Sequence, residues 1–200
     1  MQRGKDKMRI LQGYGLTLRQ LEERDIEMVR QWRNDPQVSD YMAFRGHISR
    51  QQQTEWFKAV NNENNHFFII ELAGTPIGLC ELKKIDWTER TAEGGIFIKD
   101  EQFRNSVHGV ASVVLLCEYG FGALGLAIIY AQILDENARA IRFNTMLGYQ
   151  LLRSGEAGKS VYFLTAEAFQ RACAKLKTGL DKIASMSHRQ PEASGEQDRQ

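Results

Sequence analysis

The stretch from Gly94 to Ala111 constrains the fold of this chain most strongly. It opens with an apolar run rich in β-branched and aromatic residues, passes through a polar turn, and reaches Gly109 before a long helical pattern. That order predicts a strand, a loop and a helix start. Backbone N–H groups at a helix start lack intrahelical partners and bind phosphate where no Cβ blocks the approach, which Gly109 and Ala111 keep open. The same order also occurs in α/β proteins without a nucleotide ligand, so simple packing is the alternative.

A second strand and helix follow the first pair. An apolar strand is predicted at residues 127–134, after which Asn137 has the chemistry of a helix N-cap and Gly148 that of a helix stop. With these residues the chain resembles the GNAT superfamily of acetyl-CoA-dependent N-acetyltransferases. The resemblance implies that the loop before Gly109 holds the CoA pyrophosphate and that the Asn-x-x-Ala-Ile pattern lines the cofactor cleft. It also implies an α/β fold of the α+β type, with a mixed, mostly antiparallel sheet of six to seven strands, flanked by helices, whose fourth and fifth strands are splayed.

Composition narrows the class of protein. The 200 residues are 42% hydrophobic, with 26 basic and 25 acidic side chains, which describes one domain able to bury its own core. The near-zero net charge and the lack of a polybasic run argue against nucleic acid as a partner. The first twelve residues lack an apolar core of signal-peptide length, and no run of about eighteen apolar residues occurs, so we expect no membrane partner and no export by that route.

The cysteines predict a reducing environment. They lack metal-ligand spacing and lie inside apolar patterns, as reduced core thiols do, so we expect no metal site and a cytoplasmic location. These residues are Cys80, Cys117 and Cys173. The sequence leaves the oligomeric state open, with a homodimer among the alternatives.

Hydrophobic periodicity and caps divide the chain into a flexible leader (1–12), one domain (13–186) and a disordered tail (187–200). Strands are predicted at 15–21, 66–72, 76–82, 94–98, 127–134, 149–153 and 160–164. Helices are predicted from an Asp25 cap to Asp35-Pro36, from a Ser49–Gln52 capping box, from Gly109 to about Gly122, after Asn137, and over 165–186. Residues 37–47 and 83–93 are predicted as connections.

The resemblance implies a donor site around the helix start. Backbone N–H groups from Val107 to Ala111 would hold the pyrophosphate, with Arg104 as an ionic supplement. Ser106 stands where the family has a basic or amide side chain. We therefore expect the phosphate contacts to come from the backbone N–H groups. The candidate cofactor-binding residues are Phe97, Ile98, Arg104, Ser106, Val107, His108, Gly109, Val110, Ala111, Asn137, Ala140 and Phe143.

The resemblance also assigns catalytic roles. Main-chain N–H groups of Phe97 or Ile98 would polarise the thioester carbonyl. Glu93, at the start of that strand, would act as general base; the alternative is a solvated charge at a strand end, and His66 and Asp86 are further candidates. Asn144 stands where many family members have a tyrosine that protonates the CoA thiolate. Because a thiolate is an acceptable leaving group near neutral pH, we expect an active enzyme.

The front half resembles the amino-sugar acetyltransferases of pseudaminic acid biosynthesis, through Trp-Arg-Asn-Asp-Pro-x-Val, Tyr-Met, Ile-Ser and Trp-Phe. These enzymes acetylate the 4-amino group of a UDP-linked sugar for surface or flagellar glycans, including those of flagellin. Aromatic surfaces and cations would suit a nucleotide sugar. The candidate substrate-binding residues are Trp32, Arg33, Tyr41, Met42, Phe44 and Arg45. The Trp32 string has two equally supported interpretations. One is a turn that faces the substrate, and the other is a buried tryptophan followed by a polar turn.

Two other functions remain open from the sequence. Ribosomal-protein N-terminal acetyltransferases share the Arg-Asn-Asp-Pro string, and would act on peptides in an open groove. A catalytically silent CoA-binding domain would be consistent with Ser106 and Asn144.

Overall fold

The computed structural model of the chain describes residues 9–42, 44–104, 106–155 and 158–187. In these residues eight strands form one sheet in the order β1-β2-β3-β4-β5-β6-β8-β7. The strands are β1 (Ile10–Gly13), β2 (Leu16–Gln20), β3 (His66–Leu72), β4 (Thr75–Asp86), β5 (Thr91–Ile98), β6 (Ile128–Leu134), β7 (Gln150–Arg153) and β8 (Lys159–Thr165). The helices are α1 (Ile26–Asn34), α2 (Pro36–Ser39), α3 (Arg50–Val60), α4 (Glu101–Arg104), α5 (Val107–Glu118), α6 (Ala138–Met146) and α7 (Ala166–Ser187).

The sheet is mixed and mostly antiparallel, as predicted, and β5 and β6 are its parallel pair. It has eight strands rather than six to seven, and the added strand is β1. The prediction of a flexible leader as far as Gln12 is therefore wrong from Ile10 onward; residues 1–8 lie outside the described part. Tyr14 and Gly15 both have positive φ, 54° and 75°, which is the geometry of a two-residue hairpin turn and folds β1 back onto β2.

The two faces of the sheet carry different layers. We call the face that packs against α5 and α7 the α5 face, and the opposite face, which packs against α1 and α3, the α3 face. Side chains alternate between the faces along each strand, so neighbours such as Phe67 and Phe68 belong to different clusters. The α5 face holds the larger apolar core, and the α3 face holds a smaller cluster around Val29, Trp32 and Leu79.

Helix α5 is buried almost all round. Its residues from Ala111 to Cys117 are all buried, which explains why this segment reads as continuously apolar rather than amphipathic. All three cysteines are buried free thiols, as predicted. Within the described residues, no helix is both long enough and apolar enough to cross a bilayer.

Local cap chemistry was predicted well, with one exception. Ser49 and Gln52 form the predicted capping box, and Gly148 ends α6 with φ at 100°. Asp25, however, does not cap α1 with its side chain. It is buried and accepts from Arg19 at 2.9 and 3.0 Å, and from the N–H of Glu22 at 2.9 Å, because it closes a 3₁₀ turn before α1.

Two segments that were predicted as connections contain helix or strand. Asp35 accepts from the N–H of Gln37 and caps α2, which extends into the predicted connection as far as Ser39. Residues 83–93 form the end of β4, a turn and the start of β5, so these strands make a long hairpin. The tail from residue 188 lies outside the described part of the chain.

Candidate active site

Strands β5 and β6 form a fork. Their register covers Thr91↔Ile128, Ala92↔Ile129 and Glu93↔Tyr130, after which β5 continues from Gly94 to Ile98 without β6 beside it. The predicted splay is present, and it begins at Gly94.

Some backbone amides of β5 face into this fork. The N–H of Lys99 donates to Ile77 O on β4 at 2.9 Å. Because amide direction alternates along a strand, the N–H of Phe97 also points to β4, while those of Ile96 and Ile98 point into the fork. Of the two predicted donors, Ile98 has the required direction and Phe97 does not. Ile96, which has no side-chain signal for such a role, shares the direction of Ile98.

The start of α5 differs in register from the prediction. The helix begins at Val107, two residues before Gly109, and Ser106 is its N-cap. Ser106 Oγ accepts from the N–H of His108 at 3.3 Å and lies 2.7 Å from His108 Nδ1. Burial lowers the pKa of His108, so its ring favours the neutral form.

The anchor is therefore shorter than predicted. In a helix that starts at Val107, the amides of Val107 and Gly109 have no intrahelical partner, whereas those of Val110 and Ala111 bond within the helix. Gly109 is buried, yet a Cβ added to it would meet no atom within 4 Å. This pairing of burial with open space beside free amides is what a phosphate site at a helix start requires.

Arg104 has a different role from the one predicted. Its guanidinium donates to Ile98 O at 3.3 Å and to Lys99 O at 2.9 Å. It thus satisfies carbonyl groups at the end of β5, where β6 no longer supplies partners. Arg139 of α6, which the sequence analysis missed, donates to Arg104 O and brings a second cation to this loop.

Helix α6 lies along the other side of the fork. Asn137 Oδ1 accepts from the N–H of Ala140 at 2.9 Å, which confirms the N-cap. Ala140 and Phe143 pack against the α5-face core. Asn144 donates through Nδ2 to Ala140 O at 2.8 Å, so its amide lies along its own helix. Its catalytic role stays a prediction.

Glu93 stands at the base of the fork in a network of ions. Its Oε1 is 3.2 Å from Lys83 Nζ, and its Oε2 is 2.9 Å from Lys84 Nζ and 3.3 Å from Gln132 Nε2. Burial raises its pKa, but the hydrogen bond from Lys84 and the charge of Lys83 outweigh burial and lower the pKa overall. Glu93 is therefore not a simply solvated charge at a strand end, and its role as general base stays a prediction.

The structure adds Glu81, a carboxylate that sequence reasoning missed. Glu81 pairs with Gly95 across β4 and β5, and its side chain is only 13% exposed. Its Oε1 is 3.2 Å from Lys83 Nζ. The available signal was an acid inside an apolar strand run together with the pair Gly94-Gly95, but only the strand register connects the two.

Arg33 of α1 is a further charged residue on the α3 face, and it contacts helix α3. Its guanidinium lies 5.2 Å from the ring centre of Trp56 and donates weakly to Gln53 Oε1 at 3.4 Å. Among the described residues, Arg33 Nε and Gln53 Nε2 are buried without hydrogen-bond partners. Burial lowers the pKa of Arg33, and the nearby charge of Glu81 opposes that change.

The other predicted substrate residues divide into core and loop. Trp32 is 9% exposed and packs edge-on against Phe97, so it is the buried tryptophan of the two alternatives. Tyr41 and Phe44 are exposed, and Met42 is half-buried. Arg45 forms an exposed ion pair with Glu136 at 2.5 Å, which brings this loop to the β6–α6 connection beside the fork.

Comparison with known proteins identifies the fold and the reaction. Residues 15–150 match the model of the acetyltransferase (GNAT) domain. The chain belongs to the GNAT family. It is an N-acetyltransferase that uses acetyl-CoA, and the open space at Gly109 and the fork fit that cosubstrate.

Two curated relatives and two solved structures illustrate its place among GNAT proteins. The chain is 27% identical over 139 residues to spermidine N(1)-acetyltransferase of Escherichia coli, covering 69% of this chain and 74% of the relative. It is 29% identical over 153 residues to the uncharacterized N-acetyltransferase p20 of Bacillus licheniformis, covering 72% and 85%. Spermidine N-acetyltransferase from Vibrio cholerae, solved with CoA and spermine, superposes with a TM-score of 0.69 at 22% identity, covering 78% and 99%. A nucleotide-linked sugar GNAT gives a TM-score of 0.71 at 22% identity, covering 84% and 96%. These structural likenesses show the fold alone.

The geometry assigns simple tasks to the residues of this GNAT protein. Acetyl-CoA supplies an activated acyl carbonyl when it is bound. The amides of Val107 and Gly109 can hold phosphate oxygens, and those of Ile96 and Ile98 can donate to a carbonyl oxygen in the fork. An oxyanion donor of this kind typically lowers the barrier by about 3–4 kcal/mol. Arg33, Glu81 and Lys83 lie together on the α3 face.

Proposed function

We propose that this GNAT enzyme acetylates the amino group of a nucleotide-linked amino sugar, by direct attack in a ternary complex. The UDP-linked 4-amino sugars of pseudaminic acid and flagellin glycan biosynthesis are the acceptor class that the sequence resemblance implied. Charge on the α3 face carries the proposal. Lys83 and Lys84 pair with Glu81 and Glu93, so the partly buried guanidinium of Arg33 remains as a positive charge without a carboxylate partner at hydrogen-bond distance among the described residues.

An anionic acceptor suits this arrangement. The partly buried guanidinium of Arg33 gains most from a diphosphate or another anion, because such a bond is charge-assisted and offsets the cost of its partial burial. Lys99 Nζ adds a further cation, 6.0 Å from the Trp32 ring centre. The exposed rings of Tyr41 and Phe44 are available to stack on a base or a sugar.

A polyamine is the second candidate acceptor. The curated relatives in Escherichia coli and Vibrio cholerae carry the name spermidine N(1)-acetyltransferase, and Glu81 and Glu93 could attract an ammonium group. A polyamine carries several positive charges, however, and would have to approach Arg33, Lys83 and Lys84. The proposal therefore ranks it second. Three buried free thiols suit a reducing compartment, and we propose that the reaction takes place in the cytoplasm.

The test measures release of the CoA thiol from acetyl-CoA with a UDP-linked 4-amino sugar, spermidine and a short peptide as acceptors. We expect kcat/KM to be at least tenfold higher for the amino sugar. Higher turnover of spermidine or of the peptide would contradict the proposal.

Variants at Arg33 sharpen the same test. Arg33→Gln should raise KM for the amino sugar about tenfold or more, the loss expected for a charge-assisted bond, while acetyl-CoA still raises Tm as it does for wild type. Lys182→Gln, on exposed α7, is the matched control for loss of one positive charge. An unchanged KM in Arg33→Gln would exclude the anion-binding role.

A further inference from the structure

We propose that Glu81, rather than Glu93, receives the acceptor amine and takes its proton, and that residue 95 is a glycine so that the Glu81 carboxylate can lie across β5 toward the fork. The inference needs only a primary-amine acceptor, the part of the proposed function that both candidate acceptors share.

Glu81 is placed to reach the fork. A Cβ added to Gly95 would lie 2.4 Å from Glu81 Oε1 and 2.8 Å from Glu81 Cδ, so the carboxylate rests directly on the backbone of β5. Residue 94 is where β5 leaves β6. The carboxylate therefore lies on the α3 face beside the opening of the fork, while Ile96 and Ile98 direct their amides into the fork.

Glu81 also has fewer ionic contacts than Glu93. Both oxygens of Glu93 contact a lysine, and Oε2 also accepts from Gln132. Among the described residues, Glu81 has one ionic contact, from Lys83 to Oε1, and Oε2 has no hydrogen-bond partner. One oxygen of Glu81 is thus available to accept from an incoming amine.

The charges around Glu81 also suit the task. Lys83 on β4 and Arg33 on α1 face it, and Glu93 on β5 shares Lys83 with it. Two nearby cations disfavour a bound ammonium relative to a neutral amine, since like charges in a partly buried site repel. The site therefore favours the neutral form of the acceptor amine, whose lone pair is needed for attack.

The proposed reaction begins with proton transfer from the acceptor to Glu81. The acceptor R–NH₃⁺ passes one proton to the Glu81 carboxylate, and the nitrogen lone pair of R–NH₂ attacks the thioester carbonyl. The C–N bond forms, and the oxyanion is held by the amides of Ile96 and Ile98. The C–S bond then breaks with release of the CoA thiolate. The second nitrogen proton and the proton on Glu81 pass to the thiolate and to water.

The first experiment compares three Glu→Gln variants with the acceptor that wild type uses best. Glu81→Gln should lose about 10²–10⁴ in kcat/KM, the usual contribution of a general base, and keep its acetyl-CoA-dependent rise in Tm. Glu93→Gln should lose less than tenfold. Glu71→Gln removes a 17%-exposed, ion-paired carboxylate on β3 and is the control for structural effects.

The pH dependence separates proton removal from a structural role. Without Glu81 the enzyme must bind amine that is already neutral, a fraction that rises about tenfold per pH unit below the amine pKa. The defect of Glu81→Gln should therefore shrink as pH rises, whereas a packing defect would be constant. A constant defect, or a larger loss in Glu93→Gln, would overturn the inference.

Gly95→Ala tests the position of the carboxylate without removing it. The added methyl would displace only the end of the Glu81 side chain, so we expect the protein to fold and to lose at least tenfold in kcat/KM. In the double variant with Glu81→Gln, the loss should not exceed that of Glu81→Gln alone, because both changes act on one carboxylate. Additive losses would mean that the methyl blocks the acceptor directly, and would contradict the role given to Gly95. If wild type acetylates no amine, the proposed function fails before these comparisons are made.

Discussion

The two faces of the sheet treat buried polar groups in opposite ways. On the α5 face, burial keeps such groups neutral: it lowers the pKa of His66 to about 4 and raises the pKa of Tyr149 and Cys117. On the α3 face, Lys83 remains charged because it is paired: burial lowers its pKa, but the charges of Glu81 and Glu93 outweigh burial and raise that pKa overall. The α5 face is thus a dry support for the cosubstrate helix, and the α3 face holds charges available to an acceptor.

The largest expected effect tests the difference in packing between the faces. Phe68 is fully buried on the α5 face, and its neighbour Phe67 is 8% exposed on the α3 face. Phe68→Ala should cost about 3–5 kcal/mol of unfolding free energy, because the large core around α5 cannot collapse into the cavity. Phe67→Ala should cost about 1 kcal/mol less, since the smaller cluster can relax. Denaturant unfolding measures both free energies. An equal or larger cost for Phe67→Ala would show that the two faces do not differ in packing.

The second-largest expected effect is the pH dependence of stability that His66 causes, because this histidine of the α5 face is held neutral. His66 is 4% exposed, lies 3.0 Å from Tyr119 Oη, and is faced by Trp87 and by the charge of Arg9. Its folded pKa of about 4 is below the unfolded value of about 6.5, so the unfolded chain binds the proton first as pH falls. The stabilisation is present above pH 6.5 and is lost toward pH 4, by about 3 kcal/mol.

Comparison of variants isolates this contribution. Between pH 7 and pH 4 the unfolding free energy of wild type should fall by about 3 kcal/mol more than that of His66→Phe. His47→Phe, which replaces an exposed histidine, should follow wild type. Parallel losses in wild type and His66→Phe would show that His66 is not held neutral.

Sequence was a good guide wherever one short segment decides the structure. The Ser49–Gln52 box, the Asn137 cap and the Gly148 stop depend on residues within a turn of each other, and all three are present. The fork was implied by resemblance and starts where the glycine pair begins.

Sequence failed where distant segments meet. The register of β4 against β5 decides whether the N–H of Phe97 or that of Ile98 points into the fork. The same register brings Glu81 opposite Gly95. Arg104 was assigned to phosphate from its distance along the chain to the helix start, but the end of β5 offers unpaired carbonyl groups close by, and the guanidinium binds those. A single strand pairing thus decides most of the acceptor side of the site.

The smallest effect in free energy tests the cosubstrate anchor on the α5 face. Gly109→Ala places a methyl group in space that is open in the protein, and alanine is the better helix former by about 0.5–1 kcal/mol, so the variant should be slightly more stable than wild type. The same methyl group would occupy the approach to the amides of Val107 and Gly109, and Kd for acetyl-CoA should rise about tenfold or more, equivalent to about 1.4 kcal/mol.

Gly179→Ala in α7 is the matched control, because its Cβ would also meet no atom within 4 Å. It should gain stability without any change in Kd. Calorimetric titration with acetyl-CoA and thermal unfolding measure the two quantities separately, and a variant at Gly109 that gains stability yet binds acetyl-CoA normally would mean that the phosphates rest elsewhere than on the start of α5.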